Sequence, residues 1–206
     1  MENKKLYTEL TERANFIGKN TVNPQKTWVD QVDNYQNIHL INWFHKNNYK
    51  DFFHNKIIVE AGSGLGGKIP LLAFFNPKKI ISLEPDPTLL EKQKEFLKSD
   101  FYFLPNKKIN CEIEYVNQNT EDFIENNSNF DILFLCYADQ YIDIRKVFLN
   151  FNKDAIIYNH IKHLTKRNLL GIIKEYNFNY DYHEFTSEEK WINEGSYFLI
   201  KIKNSA

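Results

Sequence analysis

From residue 56 onward the chain alternates short apolar runs with longer segments whose apolar residues return at helical spacing. Lys56–Glu60, Lys79–Glu84, Asn110–Asn117, Asp131–Cys136 and Ala155–Asn159 are rich in Ile, Val, Phe or Leu and bounded by polar residues, the pattern of buried strands. Between them the spacing predicts helices over 67–75, 87–98, 120–126, 140–149 and 163–176. Asp86 is placed to cap the second of these, with Pro87 at its first position. Pro70 fits only the opening turn of the helix before it, because proline lacks the N–H that a helix interior requires. Such alternation means parallel strands joined by crossovers, with helices on both faces.

The two ends break the pattern. Residues 3–17 and 36–48 are expected to be helical, with Ile38, Ile41 and Phe44 on one stripe. Tyr180–Phe185 and Ser196–Lys203 read as strands, the second alternating Phe198, Ile200 and Ile202 against Leu199, Lys201 and Lys203. The expected fold is therefore α/β: a doubly wound, mostly parallel seven-stranded sheet, an antiparallel C-terminal strand pair and an N-terminal helical appendage. No repeat or low-complexity linker divides it. Residues 51–206 read as one domain and residues 1–50 as its helical cap.

Composition narrows the classes. A chain of 206 residues, 42% hydrophobic, suffices for one domain with a sizeable core, and 17 Phe and 12 Tyr make that core aromatic-rich. A net charge of −1 gives no general attraction to phosphate backbones or anionic membranes, so neither nucleic acid nor membrane is expected as a partner. Cys111 and Cys136 both lie in apolar runs and read as small buried hydrophobes in a reducing compartment. Met1–Lys5 carries no apolar secretory core, and no apolar run approaches the ~20 residues of a membrane span. A cytoplasmic protein is expected.

Four of the seven glycines fall in Ile57-Ile58-Val59-Glu60-Ala61-Gly62-Ser63-Gly64-Leu65-Gly66-Gly67, directly after the first strand. Glycines there let the chain turn sharply and bring backbone amides close to a ligand. In an open α/β sheet, nucleotide-like cofactors lie at the carboxyl ends of the strands. Two readings compete. Gly62, Gly64 and Gly67 satisfy the Gly-x-Gly-x-x-Gly spacing of a nicotinamide dinucleotide site, with Glu84 as the later acid. Against it, Glu60 would repel a pyrophosphate, whereas it would stabilise an ammonium such as that of the methionine tail of S-adenosylmethionine.

Glu60-x-Gly62-x-Gly64-x-Gly66, with Glu84 closing the second strand, resembles the class I S-adenosylmethionine-dependent methyltransferases over about residues 55–203. The C-terminal antiparallel pair suits that family's sheet. The resemblance implies that Glu60, Ala61, Gly62, Gly64 and Gly66 hold the methionine moiety and that Glu84 accepts the ribose hydroxyls, with Pro85 or Asp86 near the adenosine. Val116–Phe123 is similar to the family's adenine-recognition segment, with Asn119 where Asp is usual and Thr120 and Glu121 beside it. An Asn carbonyl can still accept from an adenine amino group. Phe130–Cys136 is similar to the family's fourth motif, which puts Cys136–Asp139 beside the methyl group.

Methyl transfer to oxygen needs alignment and a base. Asp139 follows the fourth strand and His160 and His163 the fifth; His160, closest to the strand end, is favoured, with Asp139 the second candidate. No carboxylate set suits magnesium and no Cys/His spacing suits zinc, so no metal is expected. Cys136-Tyr137-Ala138-Asp139 is not the Asp/Asn-Pro-Pro-Tyr/Phe turn of many amino methyltransferases. Glu84-Pro85-Asp86-Pro87 is similar to an ending common in O-methyltransferases of sugars and polyketide-type metabolites. Trp28, Asp30, Gln31, Tyr35, Gln36, His39 and Trp43 would suit a polar small-molecule acceptor beneath an N-terminal cap; an amphipathic helix packed on the sheet explains the same residues. The leading expectation is O-methylation of a small polar metabolite. An RNA or protein methyltransferase, an NAD(P)-dependent oxidoreductase and a non-catalytic cofactor-binding domain stay open.

Overall fold

A computed structural model describes residues 37, 40–98, 109–149, 151–166, 168–186 and 196–203. The expected helix 3–17 and the cap residues Trp28, Asp30, Gln31, Tyr35, Gln36 and His39 lie outside the described residues. The strands are β1 (Ile57–Ala61), β2 (Lys79–Leu83), β3 (Glu112–Val116), β4 (Ile132–Cys136), β5 (Asp154–His160), β6 (Asn179–Thr186) and β7 (Ser196–Lys203). The helices are α1 (40–46), α2 (Lys50–Phe53), α3 (Ile69–Phe74), α4 (Pro87–Lys98), α5 (Thr120–Asn126), α6 (Ile144–Phe148), α7 (Ile161–Lys166) and α8 (Leu169–Glu175).

The strands form one sheet in the order β3-β2-β1-β4-β5-β7-β6. β1 to β5 run parallel, and their carboxyl ends are level: Ala61 faces Leu83 and Leu135, Leu83 faces Val116, and Cys136 faces Tyr158. β7 pairs antiparallel with both β5 and β6, so it is the reversed strand. This is the sheet expected from the sequence. Its consequence is that the loops after β1, β2, β3, β4 and β5, and the first residues of β7, share one edge.

Strand residues alternate between two cores, as the period of two requires. On one face Ile58, Ile80, Ile132, Phe134 and Ile156 pack with Leu40, Ile41 and Phe44 of α1, Phe53 of α2 and Leu71 of α3. On the other, Val59, Ile81, Leu133, Leu135 and Ile157 pack with Phe123 of α5, Val147 and Phe148 of α6, and Leu169 and Ile173 of α8. Each fully buried aliphatic side chain contributes about 1.5–3 kcal/mol, so both faces hold the sheet. In the first core Phe44, Tyr49, Phe53 and Phe75 make edge and tilted ring contacts.

Some element ends differ from expectation, each for a local reason. The helix expected over 163–176 is broken: Asn168 takes a left-handed backbone (φ 49°, ψ 39°) and divides α7 from α8. The helix expected from 140 begins at Ile144, because the Asp143 side chain accepts from the amides of Arg145 and Lys146 and fixes the cap there. α4 starts as expected, with Asp86 Oδ1 accepting from Thr88 N–H at 2.7 Å. α3 starts at Ile69, with Pro70 in its first turn.

Candidate functional site

The loop after β1 is built from left-handed turns. Gly62, Gly64 and Gly66 have φ of 61°, 55° and 77°; Gly67 is not left-handed. The left-handed turns thus fall on the Gly-x-Gly-x-Gly spacing. A Cβ on Gly62 would stand 2.9 Å from Ala138 Cβ, so the β1 and β4 loops touch there. One on Gly66 would stand 2.5 Å from Gln93 Cγ, so α4 presses on the loop. At Gly64 a Cβ would meet nothing within 4 Å. That position faces open space.

Buried polar groups lock this loop to β2. Ser63 N–H donates to Leu83 O at 3.0 Å. Ser82 Oγ lies 2.8 Å from Ser63 Oγ and 2.9 Å from Gln93 Oε1. With one proton per hydroxyl, Ser82 donates to the amide oxygen and accepts from Ser63. Glu84, just past β2, is buried; its carboxylate accepts from Gly64 N–H at 2.8 Å and from Asp86 N–H at 3.0 Å. Each carboxylate oxygen keeps accepting capacity beyond one such bond. Asn117, after β3, donates to Glu84 O and Pro85 O at 3.0 and 2.9 Å and holds the acid's backbone in place. From α1's side, Asn37 donates to Gly67 O at 2.6 Å.

Beside the loop is an open cavity of about 200 Å³, lined by Glu60, Ala61, Gly62, Ser63, Leu65, Gly67, Lys68, Cys136 and Tyr137. Glu60 and Lys68 are both buried, at 2% and 5% exposure. The cavity thus carries one buried acid and one buried base.

The far wall is built by β4, β5 and β7. Tyr137 adopts φ 58°, an uncommon left-handed state for a bulky residue that costs roughly 1–2 kcal/mol and marks an over-determined position. Its N–H donates to Tyr158 O at 3.0 Å, and its ring meets Tyr158 edge-on at 5.6 Å. Tyr158 in turn stacks on Tyr197 with the planes 9° apart. Burial pushes the Tyr137 phenol far above its ordinary range, with Tyr158, Cys136 and Tyr197 adding to the effect, and burial likewise raises Tyr158. Both stay protonated at any physiological pH. Next along, Asp139 and Asn159 are both fully buried, and Asn159 Nδ2 donates to Asp139 Oδ1 at 2.5 Å. Asn159 Oδ1 accepts from His160 N–H at 2.6 Å. The His160 ring meets Tyr197 at 5.2 Å, and its Nδ1 accepts from Lys162 N–H over a long 3.4 Å.

Of the residues expected from the sequence, Glu60, Ala61, Gly62 and Cys136 share the cavity wall. Gly64 is joined to Glu84, Gly66 is pressed on by Gln93, and Pro85 is exposed beside them. Thr120 is buried at the start of α5. Asn119 is the cap of α5: its Oδ1 accepts from Asp122 N–H and its Nδ2 donates to Asp122 Oδ2. Asp139 is sealed against solvent, and His160, partly exposed at the same edge, is the better placed of the two base candidates. No group of three His, Cys, Asp or Glu suited to a metal occurs among the described residues. Sequence reasoning missed Lys68 and Gln93; Asn117 and Tyr137 lie within the Val116–Phe123 and Cys136–Asp139 segments it singled out, without a role of their own. Lys68 could have been found, since it directly follows the glycine run.

No protein-family model and no curated protein matches the chain. Solved structures do. Magnesium protoporphyrin IX methyltransferase from Synechocystis, with S-adenosylmethionine bound, is similar at TM-score 0.62 and 9% identity, over 90% of this chain and 86% of that one. A candidate RNA methyltransferase from Pyrococcus horikoshii is similar at TM-score 0.61 and 16% identity, over 99% and 98%. Precorrin-6y C5,15-methyltransferase from Geobacter metallireducens is similar at TM-score 0.52 and 13% identity, over 73% and 81%. The sheet order, the reversed β7 and these likenesses agree: the chain has the fold of the class I S-adenosylmethionine-dependent methyltransferases.

Proposed function

We propose that the chain is an S-adenosylmethionine-dependent methyltransferase that methylates a small polar molecule at oxygen. The observation that carries the reading is the glycine loop: left-handed at Gly62, Gly64 and Gly66, open at Gly64, and flanked by buried Glu60 and Glu84. Glu60 would receive the donor's ammonium, Glu84 its ribose hydroxyls, and Gly62, Gly64 and Gly66 the close approach of the methionine tail. Pro85, Asn119 and Thr120 would border the adenosine, Asn119 through whatever accepting capacity its capping bond leaves. Ala61 and Cys136 form apolar wall. When bound, the donor supplies a methyl group on a sulfonium, so the protein's task is alignment and proton removal.

His160 is the proposed base, because its imidazole stands partly exposed at the carboxyl end of β5, on the edge where the cofactor crevice of such a sheet opens. Asp139 acts through Asn159, which holds the His160 backbone; it is a positioning residue. Residues 51–206 would form the catalytic domain and residues 1–50 its cap over the acceptor, in a cytoplasmic protein without a nucleic-acid partner.

The test is transfer of a labelled methyl group to pooled hydroxylated metabolites, with RNA and protein fractions in parallel. Label in the small-molecule fraction is expected, reduced at least tenfold by His160→Ala. Label confined to RNA or protein would overturn the acceptor class, and undiminished turnover by His160→Ala would remove the base.

A further inference from the structure

We propose that Gln93 is a positioning residue for donor binding: acting through Ser82 and Ser63, it holds the glycine loop in its left-handed conformation. This rests on the reading of the crevice given above and gives a role to a residue that belongs to none of the motifs in the chain.

The buried residues of α4 are Leu90 and Gln93, and Gln93 has no exposed surface. The inward stripe of an amphipathic helix calls for an apolar side chain at such a place. Ser82, equally sealed, interrupts the apolar run of β2 in the same way. Gln93 Nε2 is moreover buried without a hydrogen-bond partner among the described residues, which costs free energy. An apolar pair in place of Ser82 and Gln93 would fill the space without that cost. Packing therefore does not account for these two residues; what they do to the loop does.

The bonds run from the loop to α4. Ser63 Oγ donates to Ser82 Oγ at 2.8 Å, and Ser82 Oγ donates to Gln93 Oε1 at 2.9 Å. Ser63 lies between the left-handed Gly62 and Gly64. Its backbone is held as well, with N–H donating to Leu83 O and O accepting from Gly66 N–H at 2.8 Å. Fixing the Ser63 side chain thus fixes the turn between the first two left-handed glycines. At the third, Gly66, the Gln93 amide fills the place that a Cβ would take. One side chain of α4 therefore braces the loop at two points.

Two ligands separate bracing of the loop from a general defect: S-adenosylhomocysteine, and 5′-methylthioadenosine, which lacks the amino-acid tail. In calorimetric titration Gln93→Met is expected to weaken adenosylhomocysteine about tenfold, the scale of one hydrogen bond, and to leave methylthioadenosine nearly unchanged. Ser82→Ala cuts the same chain of bonds and is expected to give the same signature. The double variant is expected to recover part of the stability lost by either single variant in urea, while its affinity loss stays at about tenfold, because both substitutions break one network. A folded Gln93→Met with wild-type affinity for adenosylhomocysteine overturns the proposal, and so does an equal loss for both ligands, which a merely structural role would give. If Gln93→Met does not fold, Ser82→Ala decides by the same comparison. A wild type that binds no adenosylhomocysteine overturns the reading of the crevice itself.

Discussion

The two halves of the crevice are made by different means. On the β1–β2–β3 side the site is mostly backbone: three left-handed glycines, amides captured by Glu84, and carbonyls captured by Asn117. On the β4–β5–β7 side it is side chains brought together over long sequence separations: Tyr137 with Tyr158, Asp139 with Asn159, and His160 with Tyr197. A backbone site is specified by a short string, because only certain residues allow its conformations. A side-chain site is specified by register, because each partner comes from a different strand. The first kind suits a ligand that many proteins share, and the second suits one that differs from protein to protein.

The largest expected effect lies on the side-chain half. Asn159→Leu removes the donor from a buried carboxylate and is expected to cost about 3–5 kcal/mol in urea denaturation. Asp139→Asn in the same background should recover part of it, since the buried charge is then gone. On the backbone half, Gly66→Ala must adopt a left-handed state and displace the buried Gln93 side chain, for a loss of about 2–4 kcal/mol. Gly64→Ala meets no neighbour and is expected to cost only about 1–2 kcal/mol of stability, while weakening adenosylhomocysteine binding more than Gly66→Ala weakens it per unit of stability lost. Equal stability losses at the two glycines would contradict the packing described.

The smallest effect is a pH dependence. Burial pushes the Cys111 thiol up to about 11. Since an unfolded thiol titrates near ~8.5, the contribution of the neutral half-buried thiol is fully present below that pH and is lost as pH rises through about 11. Iodoacetamide at pH 8 should therefore spare Cys111 in the native protein. Cys136 lines the cavity, so its alkylation should be slowed by adenosylhomocysteine and that of Cys111 should not.

The same contrast explains what was legible in the sequence. The sheet, its reversed C-terminal strand and the glycine loop follow from local patterns: apolar runs, a period of two, and a cluster of glycines beside Glu60. Glu84 was readable because it directly follows the apolar run of β2. Asp139 was read as a base because it follows β4, yet the register of β4 on β5 seals it against Asn159, which only the pairing reveals. Asn168 breaks a helix that periodicity carries straight through, because asparagine tolerates the left-handed state at little cost. Tyr137 lies in the Cys136–Asp139 turn that the sequence marks, but its left-handed backbone was not legible, since the bond that holds it comes from Tyr158, on the next strand.

The central claim is that the backbone half holds S-adenosylmethionine, and titration of the wild type with S-adenosylhomocysteine and with NAD tests it most directly. The account predicts one adenosylhomocysteine bound per chain, weakened at least tenfold by Glu60→Gln, and no NAD binding. Saturable NAD binding without adenosylhomocysteine binding would contradict it.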